Sequence, residues 1–212
     1  MINQLKNCFC KFKLKGNRAH IRSEKEMLLV DKQVADEAFK KYKKDILDSY
    51  LMSKGFVKYK SNSYVRKNQI DVLEYLDLQK ERYGSKTFTV NYALMPLYVS
   101  HDYLVTGFGD RLGRLICDTD IWWDYANEAI SQISFQNVID AIEQFVLPWF
   151  EKYENEETLK KKLLEDKKKS EQTVRGIPYK NAEWLSALEE RGDRTEIILE
   201  NIEKMKLPKK IK

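Results

Sequence analysis

Two arginines, Arg111 and Arg114, and three aspartates, Asp118, Asp120 and Asp124, fall within one stretch, Gly107 to Asp124, of sequence GFGDRLGRLICDTDIWWD. Carboxylates two and four residues apart suit a loop that holds a hard cation such as Mg²⁺. An arginine beside them would clamp an anion through its planar fork. Together they would serve a metal-dependent phosphoesterase or nuclease-like enzyme. The set has no accompanying Glu or His ligand and lacks the calcium-loop signature. Aspartate is also a turn and cap former, because its side chain accepts hydrogen bonds from nearby backbone N–H groups. The expected use is therefore structural: Asp118 and Asp120 end one element, Asp124 begins the next, and an arginine pairs with Asp120 or Asp124.

The remaining chemistry in this stretch is thinner. Gly107, Gly109 and Gly113 suggest a phosphate loop, but no G-K-[ST] follows; a turn before a strand over 111–117 is the expectation. Trp122 and Trp123 are adjacent, so in extended chain they point to opposite faces, one into the core and one to a rim. A rim tryptophan beside arginine has the makeup of a protein-binding hot spot. His101, Cys117 and an aspartate can be drawn as a nucleophilic triad, yet nothing in their spacing requires it, and a buried cysteine is inert. Cys8 and Cys10 lack a second pair for zinc. The expectation is no catalytic residues, no metal and no cofactor. A speculative binding set remains: Gln79, Arg82, Arg111, Arg114, Asp120, Trp122 and Trp123.

These residues need a scaffold, and the totals allow one. The chain has 212 residues, 42% apolar and 12% aromatic, enough for a buried core. The net charge of +5 is concentrated in residues 1–25, which carry a local +6, so the body is close to neutral. The arm interleaves Phe9 and Phe12 with lysines; nucleic-acid binding is the alternative to a solvated terminus. No apolar run is long enough for an export signal or a membrane span. With only three cysteines, a cytoplasmic setting is expected.

Periodicity supplies the elements. Ser23–Glu26 has the form of a capping box. Val34, Ala38, Tyr42, Ile46 and Tyr50 recur at i+4, with Phe39 and Leu47 widening the stripe, and predict a helix to Lys54, with Gly55 as its stop and Lys40, Lys41, Lys43 and Lys44 mostly off the stripe. Phe56–Lys60, Ser63–Lys67, Ile70–Gln79 and Thr87–Leu94 predict strands. In the last, Phe88, Val90, Tyr92 and Leu94 share a packed face, while Thr87, Thr89 and Asn91 share a wetter one. Tyr98–Phe108 and Arg111–Cys117 are further strand candidates. Ser134 is placed as the cap of a helix that Pro148 interrupts or kinks, with Trp149 and Phe150 continuing its apolar face. Helices over Glu154–Gln172, Tyr179–Arg191 and Asp193–Leu207 follow, with a break at Gly176-Ile177-Pro178. The result is α+β: an N-terminal helix, an antiparallel sheet of 4–6 strands, then several helices packed on it. The expected boundaries are a basic arm over 1–25, an α+β domain over 26–155 and a helical C-terminal extension over 156–212.

Five phrases in series point to a family. They are Gly55-Phe56 with Tyr64-Val65-Arg66; Leu78-Gln79-Lys80 with Arg82-Tyr83-Gly84-Ser85; Phe88-Thr89-Val90-Asn91; Arg111-Leu112-Gly113-Arg114-Leu115 with Asp120 and Trp122-Trp123; and Leu147-Pro148-Trp149-Phe150. In that order, over about residues 30–155, the chain resembles the bacterial family known as domain of unknown function 4304. The resemblance implies no activity. Charged and aromatic residues cluster where no acid–base pair does. The expectation is therefore a non-catalytic module whose partner is another protein, with an immunity- or stress-type role compatible.

Overall fold

The computed structural model of the protein describes residues 31–104, 108–173, 181–190 and 192–211. It is an α+β fold built on a six-stranded antiparallel sheet. Helix α1 (Lys32–Tyr42) runs through a π-helical segment, Lys43–Asp48, into α2 (Ser49–Ser53). The strands follow: β1 (Val57–Lys60), β2 (Ser63–Lys67), β3 (Val72–Lys80), β4 (Thr87–Pro96), β5 (Phe108–Arg111) and, after helix α3 (Leu112–Cys117), β6 (Trp123–Asp124). Helix α4 (Glu128–Ala141) passes through a second π segment, Ile142–Val146, into α5 (Leu147–Lys152). Helices α6 (Glu156–Thr173), α7 (Ala182–Glu189) and α8 (Thr195–Lys204) complete the chain. The sheet order is β1-β2-β3-β4-β5, with β6 pairing β4 through Thr87–Asp124 and Phe88–Trp123.

Two compact units divide these elements. The first holds the described residues up to Phe56, Asp77–Asn91 and Asp110–Leu147; the second holds Val57–Leu76, Tyr92–Gly109 and the chain from Pro148 onward.

An aromatic core organises the first unit. Phe39 of α1 meets Phe88, Tyr125 and Phe135 edge-on at 5.3, 5.0 and 5.3 Å between ring centroids, and Phe88 stacks on Phe135 at 5.0 Å. Each such ring, fully buried, contributes about 2–3 kcal/mol from its apolar area. Lys80 reaches across this core, with Nζ 4.0 Å from the Phe39 centroid and 2.7 Å from Asp36. Asp31 caps α1 by accepting from the Gln33 and Val34 N–H groups. The capping box at Ser23–Glu26 lies outside the described residues.

The buried face of the first helix runs through Ala35, Ala38, Phe39, Lys43, Leu47 and Leu51: Ala38, Phe39 and Leu47 of the expected stripe are core, while Val34 is 48% exposed. Lys43, expected at the surface, lies on this face one turn after Phe39 and is buried; the π segment that begins there brings it to Asp48, five residues on, with which it pairs at 3.0 Å. In the fourth helix the cap is Asn127, whose Oδ1 accepts from the Ile130 N–H; Ser134 lies a turn and a half inside and is buried. The π segment there ends with the Leu147 N–H bonding the Ile142 carbonyl, so the helix passes Pro148 instead of stopping at it.

The second unit has its own aromatic group. Trp149 contacts Tyr92, Phe108, Phe150 and Tyr153 at 4.7–5.5 Å, and Phe108 lies 6.4 Å from Trp184. Asn201 of α8 is 1% exposed and makes three bonds, donating to the Leu97 and Val99 carbonyls and accepting from the His101 N–H. These bonds fix residues 97–101 as a loop where a strand was expected. On β3 and β2, Glu74 is fully buried against Arg66 at 2.6 Å. Desolvation pushes the Glu74 carboxyl above its usual value, and the Arg66 bond opposes this only in part.

Candidate functional site

The arginine–aspartate cluster is built by a close approach. The segment 112–117, expected as a strand, is helical: the chain leaves β5 extended at Arg111 and turns into α3. Gly113 is needed for contact, not for a turn. A Cβ there would lie 2.3 Å from the Ile121 nitrogen and 2.4 Å from the Thr119 oxygen. With the loop pressed onto α3 at Gly113, and Asp118 ending the helix in the left-handed region at φ 59°, the chain doubles back. Asp120 thereby returns to the two arginines.

Arg111 Nη1 and Arg114 Nε both donate to the Asp120 carboxylate, the second at 3.0 Å. Arg114 also lies 3.5 Å from Asp110. The Arg111 guanidinium sits 5.4 Å from the Trp122 ring centroid, a cation–π contact. Partial desolvation raises the Asp120 carboxyl, but the two arginine bonds outweigh it and hold it below its usual value. Side-chain exposures are 30% for Arg111, 52% for Arg114 and 26% for Asp120, and Trp122 is half-buried. The cluster is thus an internally bonded, electrically balanced patch with an aromatic edge.

The structure brings four of the seven expected residues together: Arg111, Arg114, Asp120 and Trp122. Trp123 is 6% exposed and packs against Phe88 at 6.2 Å, so it presents no surface. Gln79 is half-buried on β3, where its Oε1 accepts from Asn91 at 3.2 Å. Arg82 is exposed in the β3–β4 turn. The wetter sheet face is narrower than expected. Thr89 is fully buried, as are Ala93 and Met95 farther along the same face; the apolar pair carries burial past the polar stretch.

The aspartates have structural duties. Asp118 is a helix terminus, Asp120 is held by arginines, and Asp124 Oδ1 accepts from the Ala126 N–H at 2.8 Å. Among the described residues, no group of three or more His, Cys, Asp or Glu is arranged to hold a metal ion. His101 is buried with Nε2 3.2 Å from the Pro96 carbonyl, while Cys117 Sγ lies 3.3 Å from Thr119 Oγ1 and 3.5 Å from the Gly113 carbonyl. No helix among the described residues is long and apolar enough to cross a membrane. Gly107, Cys8, Cys10 and the basic arm lie outside the described residues.

Two features escaped the sequence reading. The buried Arg66–Glu74 pair has only a Glu in a strand as its signal. In the β3–β4 turn, Tyr83-Gly84-Ser85 reads as an ordinary loop, yet Tyr83 is 96% exposed; no pattern distinguishes a presented tyrosine from a packed one.

The domain of unknown function DUF4304 matches residues 47–152, half of the chain, and the chain belongs to this family. No curated protein and no solved structure matches it.

Proposed function

We propose that this member of the DUF4304 family is a non-catalytic module that binds another protein through the Arg111–Arg114–Asp120–Trp122 patch. The observation that carries this reading is the state of the patch. Its charges are satisfied internally, while arginine and tryptophan surfaces stay accessible on a backbone fixed by Gly113. Arginine and tryptophan are enriched where binding energy concentrates, and a rigid patch loses little entropy on association. General acid–base chemistry instead needs a group poised to exchange a proton near working pH. The Asp120 carboxyl is held low and remains ionised there.

The phosphoesterase reading gains no specific support: Asp120 is held by two arginines, Asp124 accepts from the Ala126 N–H, and no three carboxylates converge among the described residues. Affinity capture with the purified chain tests the proposal. Partners retained by the native chain are expected to be lost from Arg111→Ala and Trp122→Ala. Retention of the same partners by both variants would overturn it.

A further inference from the structure

The β3–β4 turn is built to hold an aromatic ring out. Tyr83 is more exposed than any other large hydrophobic side chain among the described residues, at 96%. A lone exposed tyrosine is ordinary, but the backbone beneath this one is tied at several points. The two oxygens of Glu81 divide the work. Oε1 accepts from the Tyr83 N–H at 2.6 Å, and Oε2 accepts from the Ser85 N–H and hydroxyl, each at 3.1 Å. Ser85 Oγ meets Thr87 Oγ1 at 2.7 Å, and the Lys86 carbonyl accepts from the Tyr125 N–H at 2.9 Å.

Charge follows the same division. The Glu81 carboxylate is turned onto these loop donors; desolvation raises it, and the backbone and Ser85 bonds more than reverse that. Among the described residues, exposed Arg82 has no ion pair, and the Lys86 ammonium donates to the Gly84 carbonyl at 3.2 Å. The tip therefore presents two cations flanking one aromatic ring.

We infer that this tip docks an acidic protein surface with an apolar slot for the Tyr83 ring. Tyrosine supplies a large contact for few rotatable bonds, and a pre-tied loop removes much of the ordering penalty. Opposed charge speeds the encounter and makes it salt-dependent. The inference rests on the protein-binding reading, yet it concerns a different patch.

A synthetic peptide of glutamates flanking two leucines is the probe, titrated into the isotope-labelled full chain and followed by amide chemical shifts. Shifts confined to residues 81–86, with affinity falling about tenfold in Tyr83→Ala and again at raised salt, are expected. Glu81→Gln gives the sharpest arm. It removes a negative charge but leaves one oxygen where two are needed, so charge alone predicts tighter binding and a pre-tied loop predicts weaker. Weaker binding is the expected result. No shifts at millimolar peptide, shifts spread over the lysines of α6, or tighter binding by Glu81→Gln would each overturn the inference. Trp122→Ala separates the two proposals, since it removes partner capture at the arginine patch and leaves the tip titration unchanged.

Discussion

Two arginine–carboxylate pairings in this molecule share their chemistry and differ in burial. On β2 and β3, Arg66 holds a Glu74 with no exposure; between α3 and the loop after it, Arg111 and Arg114 hold an Asp120 that keeps 26% of its side-chain surface. In the first, desolvation dominates and the carboxyl rises. In the second, two bonds win and the carboxyl falls. A buried pair is bound to the fold around it, because removing one partner strands the other's charge away from water. A half-open pair contributes little to stability and leaves its surface accessible. The difference teaches that the first pairing is absorbed into the architecture, while the second leaves charged surface at the solvent.

The strongest way to break that contrast is Arg66→Ala, which leaves Glu74 uncompensated. A loss of about 3 kcal/mol in chemical denaturation is expected; an unchanged midpoint would mean the pair is not architectural. Asn201→Ala, which strands three buried backbone groups, is expected to lose a comparable amount, about 3 kcal/mol. Gly113→Ala comes next. Its methyl meets backbone atoms of the returning loop, so a loss of about 2 kcal/mol is expected, with Asp120 displaced from the arginines.

Acidity sharpens the contrast, since the two carboxyls respond with opposite sign. Glu74 sits above its ordinary 4.5 in the fold, so its contribution is fully present below that pH and is lost as pH rises through the folded value. Asp120 sits below its ordinary 3.8, so its contribution is present above that pH and is lost as pH falls through the folded value. In denaturation series across pH, Glu74→Gln is expected to remove the first dependence and Asp120→Asn the second. The smallest effect belongs to Arg114→Ala, which is expected to leave the denaturation midpoint within error.

Much of the architecture was legible. The helix running to Lys54, its stop at Gly55 and the strand over Thr87–Leu94 depend on local rules, and the structure has all three. What escaped depended on contacts distant in sequence or on backbone choices with no composition signal. Lys43 is taken into the interior by its pairing with Asp48. Asn201 turns 97–101 from strand to loop across about a hundred residues of chain. Gly113 looked like a turn residue because close approach leaves the same glycine behind. At the candidate site, the pairing of arginine with Asp120 was readable from types and spacing. The orientation of two adjacent tryptophans was not, because alternation assigns opposite faces without saying which one is core.

The most direct test of the central claim is paired measurement on the Arg111→Ala, Trp122→Ala double variant: thermal denaturation beside quantitative capture of partners. A folded variant, close to the native chain in midpoint and stripped of the partners the native chain retains, is the predicted result. A variant that keeps those partners would contradict recognition through this patch.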